Sequence, residues 1–400
     1  MDATNSVSIT GGGYTAEISL LGGQLLGLRH HEDELVVPAD HNTEGAFAGA
    51  VLAPWPNRTQ GGTYSYAGRD YTLPVNEEAT GAAIHGLMFD LPLHVQAHKD
   101  SEVQLQGTLE PSAGYPFGLD IALIYRVTSD VGLTATLMAR YSPADEHALL
   151  AEESQASAAE AQEHEETATE ADAGADADDE TSAGEENDAE ADADDEASAG
   201  DEGSAYGEGA ADDDVDADHE SSADHEGSAD ALAAAADDSD SEQAGTPAGP
   251  QTAPFGAGFH PYLTAGGASL RECRLRLPAR TMLTTSADGG VTGRTAVTGD
   301  FDLSNGPLLS GRRIDHAFTD LPEEGWTAEL IHGPSGLVVR MIADSPWVQV
   351  YTGEQIDRAG VAVEPMSCPP NALNSGEDLV HLVPGEWFRM GYSIEAIRID

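Results

Sequence analysis

The chain has 400 residues with 72 acidic side chains against 17 Lys and Arg, a formal net charge of -55. Residues 151–250 hold 36 of those acids and no Lys or Arg, so the other 300 residues carry 36 acids against 17 bases, an ordinary acidic balance. Such a surface repels nucleic acid and anionic lipid, and no run approaches the ~20 apolar residues that span a bilayer, so neither partner is expected.

From Ser6 to Tyr141 the texture is strand and turn. Val7 to Thr10, Tyr14 to Leu20 and Gln24 to Arg29 are short segments separated by Gly11-Gly12-Gly13 and Gly22-Gly23, which punctuate hairpins. Met1 to Leu28 has no basic start followed by an apolar block, so it does not read as a leader or an anchor. Val103 to Leu109, Leu119 to Val127 and Leu133 to Met138 alternate or run apolar over strand lengths.

After Ala144 the composition narrows to Ala, Asp, Glu, Ser and Gly, with near-repeats D-D-E-T-S-A-G from Asp178 and D-D-E-A-S-A-G from Asp194. So little apolar surface does not offset the entropy of ordering, and residues 145–250 are expected to be a disordered insertion. His219 and His225 lie there in repeated D-H-E triplets, a poor selective metal site without fixed geometry. Its simplest role is that of a solvated loop; contact with a basic protein partner is the alternative.

Strand texture resumes at Phe255 and continues through Cys273 to Leu277, Thr327 to His332, Leu337 to Ala343, Trp347 to Thr352, Val361 to Glu364 and Tyr392 to Ile399. No segment outside the insertion carries a long 3.6-residue period. An all-β chain follows, a large antiparallel β-sandwich formed by residues 1–144 and 251–400 as one domain. Two cysteines, Cys273 and Cys368, are too few for a disulfide framework, which fits a reducing compartment and a cytoplasmic location. A nucleophilic thiol needs a paired base, and Cys368 in S-C-P-P reads as packing.

Six blocks set polar residues beside strongly structured apolar sequence. They are P-W-P-N-R from Pro54, A-I-H-G-L from Ala83, F-G-A-G-F-H-P-Y-L from Phe255, R-I-D-H-A-F from Arg313, V-Q-V-Y-T-G from Val348, and A-V-E-P-M-S-C-P-P-N-A from Ala362. One at a time they mean little: an isolated histidine in a β-protein is usually structural, Glu364 alone reads as a strand-end carboxylate, and Arg58 alone as an ion-pair partner. Asp315 beside His316 also reads as a turn, and Trp55 and Trp347 read as core. His30, His31, His94, His98, His316, His332 and His381 lack such blocks and read as surface or structural.

In this order, and with G-G-T-Y-S-Y-A-G-R-D-Y-T-L following Arg58, the blocks resemble the aldose 1-epimerase (galactose mutarotase) family over the whole chain except the acidic insertion. The resemblance implies a galactose mutarotase-like sandwich acting on a small aldose, with no cofactor and no metal. It makes Glu364 the general base toward the anomeric hydroxyl and His260 the general acid toward the ring oxygen. Arg58 and His85 are expected to bind sugar oxygens near the reacting end, and Asp315 to hold ring hydroxyls. The exchange removes one proton and delivers another, which a carboxylate and an imidazole do near neutral pH. The pair is expected to start with Glu364 ionised and His260 protonated, so that two apparent pKa values bound the activity. One position departs from the family: many members place an Asn before the acid histidine, where this chain has Phe259. The rival readings are an epimerase of a phosphorylated hexose, which requires a basic cluster, a carbohydrate-binding domain without catalysis, and an interaction protein built around the acidic segment. Oligomeric state is not specified.

Overall fold

Alternation of apolar and polar residues becomes alternation of buried and exposed side chains wherever a strand has one face on the core. In Leu119–Thr128, residues Leu119, Ile121, Leu123, Tyr125 and Val127 are all buried, and their neighbours in sequence face outward. The same rule organises Glu102–Leu109 and Gly132–Tyr141. A computed structural model describes residues 5–38, 45–143, 251–286 and 288–399; the acidic segment expected to be disordered, with His219 and His225, lies outside the described residues.

Two large antiparallel sheets dominate. The first runs His94–Lys99, Glu102–Leu109, Leu119–Thr128, Gly132–Tyr141, Trp387–Arg398, Leu337–Ala343, Trp326–His332 and Cys273–Arg276. The second runs Val291–Ala296, Thr281–Thr285, Asp315–Thr319, Trp347–Tyr351, Val361–Met366, Gly258–Phe259 and Val51–Leu52, with Tyr262–Leu263 also paired to Val361–Met366. Ser6–Gly11, Tyr14–Ser19, Leu25–His30 and Asp33–Glu34 form a separate four-stranded sheet. Residues before and after the acidic segment share sheets: Gly132–Tyr141 pairs with Trp387–Arg398, and Val51–Leu52 pairs with Gly258–Phe259.

The two large sheets enclose one apolar core to which the first contributes Leu105, Leu123, Leu137 and Ile394, and the second Phe259, Val348, Val350 and Val363. Each such side chain contributes about 1.5–3 kcal/mol when fully buried. Phe259 reaches across the core to Tyr392, ring edge to ring face, with centroids 4.9 Å apart.

The centre of the second sheet is covered on both faces, and every residue of Val361–Met366 is buried. Val361 and Val363 face the main core. Ala362 and Met366 point the other way into two small apolar clusters, one with Tyr262, Val37 and Ile356, the other with Trp347, Ala317 and Leu283. Glu364 lies on that outer face between them.

Sequence alternation located the long strands to within a residue or two, apart from Gly132–Tyr141, which runs three residues past the expected end, and the last, which starts five residues earlier, at Trp387. It missed four. All six residues of the edge strand His94–Lys99 are exposed, so no alternation is imposed on it. Thr281–Thr285, Val291–Ala296 and Asp315–Thr319 are short and lack a sustained apolar alternation, and they acquire strand geometry from their neighbours in the sheet.

Candidate active site

Three short pieces of backbone bring the sequence blocks together. In P-W-P-N-R, Trp55 is buried and donates its indole N–H to the Ala83 carbonyl at 3.2 Å, tying this block to A-I-H-G-L. Arg58–Thr59 then pairs with Ala83–Ile84, which sets Arg58 beside His85. His85 and Gly86 both take left-handed φ values, 65° and 76°. A Cβ at Gly86 would meet the Ala53 carbonyl oxygen at 2.0 Å, so the glycine lets the chain pass close enough to aim His85 into the cleft. Gly86→Ala is expected to cost more than about 1 kcal/mol of stability and to displace His85, read as a lower thermal midpoint together with a raised KM for sugar.

His260 follows Phe259 at the end of its strand, and alternation turns the two side chains apart: Phe259 enters the core while His260 faces the cleft. The backbone N–H of His260 donates to Ala50 at 2.9 Å. The Asn expected from the family at position 259 would therefore lie in this chain's core, not beside the histidine.

Glu364 and Gln349 are direct partners on adjacent strands, as are Asp315 and Tyr351. Together with Arg58, Glu77, His85 and His260 these residues line a cleft of about 100 Å³. All five sequence-predicted site residues are in it.

At its floor His260 Nε2 lies 3.3 Å from Glu364 Oε1, with the residues only 5% and 2% exposed. The His85 ring stands edge-on to His260, centroids 5.2 Å apart, and Tyr262 flanks His260 at 5.0 Å. Eight buried side-chain atoms have no hydrogen-bond partner among the described residues, and four of them belong to residues of this cleft: His85 Nδ1, His260 Nδ1, Gln349 Oε1 and Glu364 Oε2. Buried polar atoms are rarely left so, and the gathering of four around one cleft marks it as a place where a polar ligand completes the network.

Burial pushes the Glu364 carboxyl well above the usual carboxylate range, and Asp315 adds to the shift while Arg58 opposes it. Burial also pulls His260 down to about 4. His85 is held well below its ordinary value by burial, then by His260 and Arg58. These directions revise the expected starting state: before substrate arrives, desolvation favours the uncharged forms of both members of the pair.

Arg58 is held by Glu77, which the sequence reading did not single out. The guanidinium donates Nε to one carboxylate oxygen and Nη2 to the other, both at 2.7 Å. Burial works against the Arg58 charge, but Glu77, Asp315 and Glu364 outweigh it. Gln349 was also unassigned, although it stands within V-Q-V-Y-T-G; its Nε2 donates to Asp315 Oδ1 at 2.6 Å. The period-2 register linking Gln349 to Glu364 was the available signal, but it requires the strand pairing to be known. Trp55 and Trp347 are core residues, and Cys368 is buried, its thiol pushed up to about 12 by that burial. Among the described residues no helix is long and apolar enough to cross a membrane.

The aldose 1-epimerase family model matches residues 5–143 and 236–395. The uncharacterized protein YihR of Escherichia coli (strain K12) is 28% identical over 397 residues, covering 98% of this chain and 94% of YihR. Among solved structures, the GalM/aldose epimerase homologue of C. elegans aligns over 100% of both chains with a TM-score of 0.66 and 14% identity. Galactose 1-epimerase from Lactobacillus acidophilus NCFM aligns over 100% of this chain and 96% of its own, with a TM-score of 0.60 and 13% identity. The order of the blocks, the antiparallel sheets they build and the family match agree: this chain belongs to the aldose 1-epimerase family.

Proposed function

We propose that residues 1–144 and 251–400 form one catalytic domain that interconverts the α and β anomers of a free aldohexose, with Glu364 and His260 as the proton-transfer pair. The observation that carries this reading is the 3.3 Å contact between His260 Nε2 and Glu364 Oε1 at the floor of the cleft. Anomer exchange acts on two oxygens bonded to the same carbon, the anomeric hydroxyl and the ring oxygen, so its acid and base must be neighbours. A binding module has no need of such a pair.

In the forward step Glu364 takes the proton of the anomeric hydroxyl, the bond between C1 and the ring oxygen breaks, and His260 delivers a proton to that oxygen. The open aldehyde turns about its C1–C2 bond. His260 then removes the proton it gave, the ring oxygen attacks the other face of C1, and Glu364 returns its proton to the new anomeric hydroxyl. Arg58, His85 and Asp315 are assigned to hold the sugar oxygens during this cycle. Only one proton needs to reside on the pair, and the contact lets it pass between the carboxyl and the imidazole as the substrate excludes water.

Polarimetry of freshly dissolved α-D-glucose and α-D-galactose tests the activity; a rate no faster than buffer with every aldose tried would overturn it. The pH profile tests the pair. With His260 at about 4 and Glu364 displaced upward, one proton stays on the pair across neutrality, so the rate is expected to be flat there. Below about 4 a second proton occupies His260 and no base remains. On the alkaline side the rate falls only when the raised Glu364 carboxyl loses its proton. A rate that instead declined as pH rose through ~6.5 would show a histidine of ordinary affinity, and a pair in contact with water.

A further inference from the structure

We propose that Glu77 is a specificity-determining residue that commits this site to uncharged aldoses by cancelling the one cation in the cleft. This deepens the mutarotase reading and rests on it for the identity of the reaction. Arg58 is the only Lys or Arg lining the cleft among the described residues. Guanidinium forks are the usual means of gripping phosphate or carboxylate on a ligand, because two parallel N–H donors match two anionic oxygens. Here the Nε/Nη2 edge of that fork is already filled: Nε and Nη2 each donate to a Glu77 oxygen at 2.7 Å. Thr80 Oγ1 donates to Glu77 as well, fixing the carboxylate against the guanidinium. Burial would raise the Glu77 carboxyl, but Arg58 and Thr80 hold it below the ordinary range, so it is charged at neutral pH.

The rest of the cleft asks for donors. Asp315 offers a carboxylate, one oxygen of which already accepts from Gln349, and the Gln349 Oε1 is a buried acceptor with no partner. Sugar hydroxyls supply O–H donors to such atoms. A phosphate or carboxylate supplies none when ionised, and would bring its charge toward Asp315 and Glu77 with Arg58 already neutralised. Glu77 therefore does two things: it fixes the orientation of Arg58, leaving Nη1 toward other partners, and it removes the attraction that an anionic hexose would exploit.

The test compares D-glucose with D-glucuronate and D-glucose 6-phosphate, all of which have a free anomeric carbon, in wild type, Glu77→Gln and Glu77→Asp. Anomer exchange is followed by NMR and binding by calorimetry. Wild type is expected to favour glucose by roughly 100-fold or more in kcat/KM. Glu77→Gln is expected to shrink that preference at least ~10-fold, through a lower KM for the anionic sugars and a higher one for glucose, while Glu77→Asp restores part of it. Equal use of charged and neutral sugars by wild type would overturn the proposal whether or not the variants fold, and so would a Glu77→Gln effect that is the same for all three sugars. If no sugar is turned over, the calorimetry decides separately: binding of glucose but not of the anionic sugars sustains the charge argument while the mutarotase reading falls, and absence of binding by any of them overturns both.

Discussion

Glu364→Gln is expected to slow catalysed mutarotation by ~100- to 10,000-fold while the protein folds as before. The amide matches the carboxyl in shape and keeps a polar contact to His260, but it neither takes nor carries the proton of the anomeric hydroxyl. Because the native carboxyl is buried and forced toward its neutral form, replacing it with an amide removes a desolvated ionisable group, and the thermal midpoint is expected to hold or rise. His260→Gln is expected to cause a comparable loss of rate. The two substitutions together should cost little more than either alone, since groups that act as one proton-transfer unit are not additive. Polarimetry on the three variants, with circular dichroism to verify folding, measures this. Losses that multiplied in the double variant would show that Glu364 and His260 work independently, and would remove the basis for treating their contact as the catalytic element.

Phe259→Asn is expected to destabilise the fold by about 3–5 kcal/mol, the cost of deleting a buried aromatic ring, with a further cost from an amide placed where no partner waits. The ring is 1% exposed and forms the contact to Tyr392 between the two large sheets. The substitution installs the residue that the family resemblance leads one to expect and yet is expected to harm the chain, because position 259 here faces inward. Urea unfolding measures the loss, and turnover per folded molecule should change far less than stability. An unaltered urea midpoint would show that position 259 lies outside the core.

The architecture was legible because most long strands have one face on the core, and a half-buried strand must alternate. Leu119–Thr128 and Leu337–Ala343 announce themselves in this way or by continuous apolar sequence. His94–Lys99 does not, since a fully exposed edge strand places no demand on its side chains. Glycines at the hairpin turns were equally legible, because left-handed backbone restricts the choice of residue. Arg58, His85, His260, Asp315 and Glu364 were named through the blocks around them and the resemblance those blocks carry. Glu77 lies in no block, and nothing local marks it.

By itself the sequence determined the all-β class, the contrast in composition between residues 151–250 and the rest of the chain, and the residue types available for proton transfer. These depend on composition and on periodicities of a few residues, which are local properties. Tertiary structure alone decided that His260 and Glu364, more than a hundred residues apart, touch at 3.3 Å, that Arg58 is bound by Glu77, and that Phe259 looks inward while His260 looks out. It also decided the surroundings of these two residues, whose burial pushes both the carboxyl and the imidazole toward their uncharged forms. The reason is physical: contact between distant residues depends on strand pairing and register, and the charge state of a buried group depends on the water it has lost, and neither quantity exists until the sheets have closed over the core.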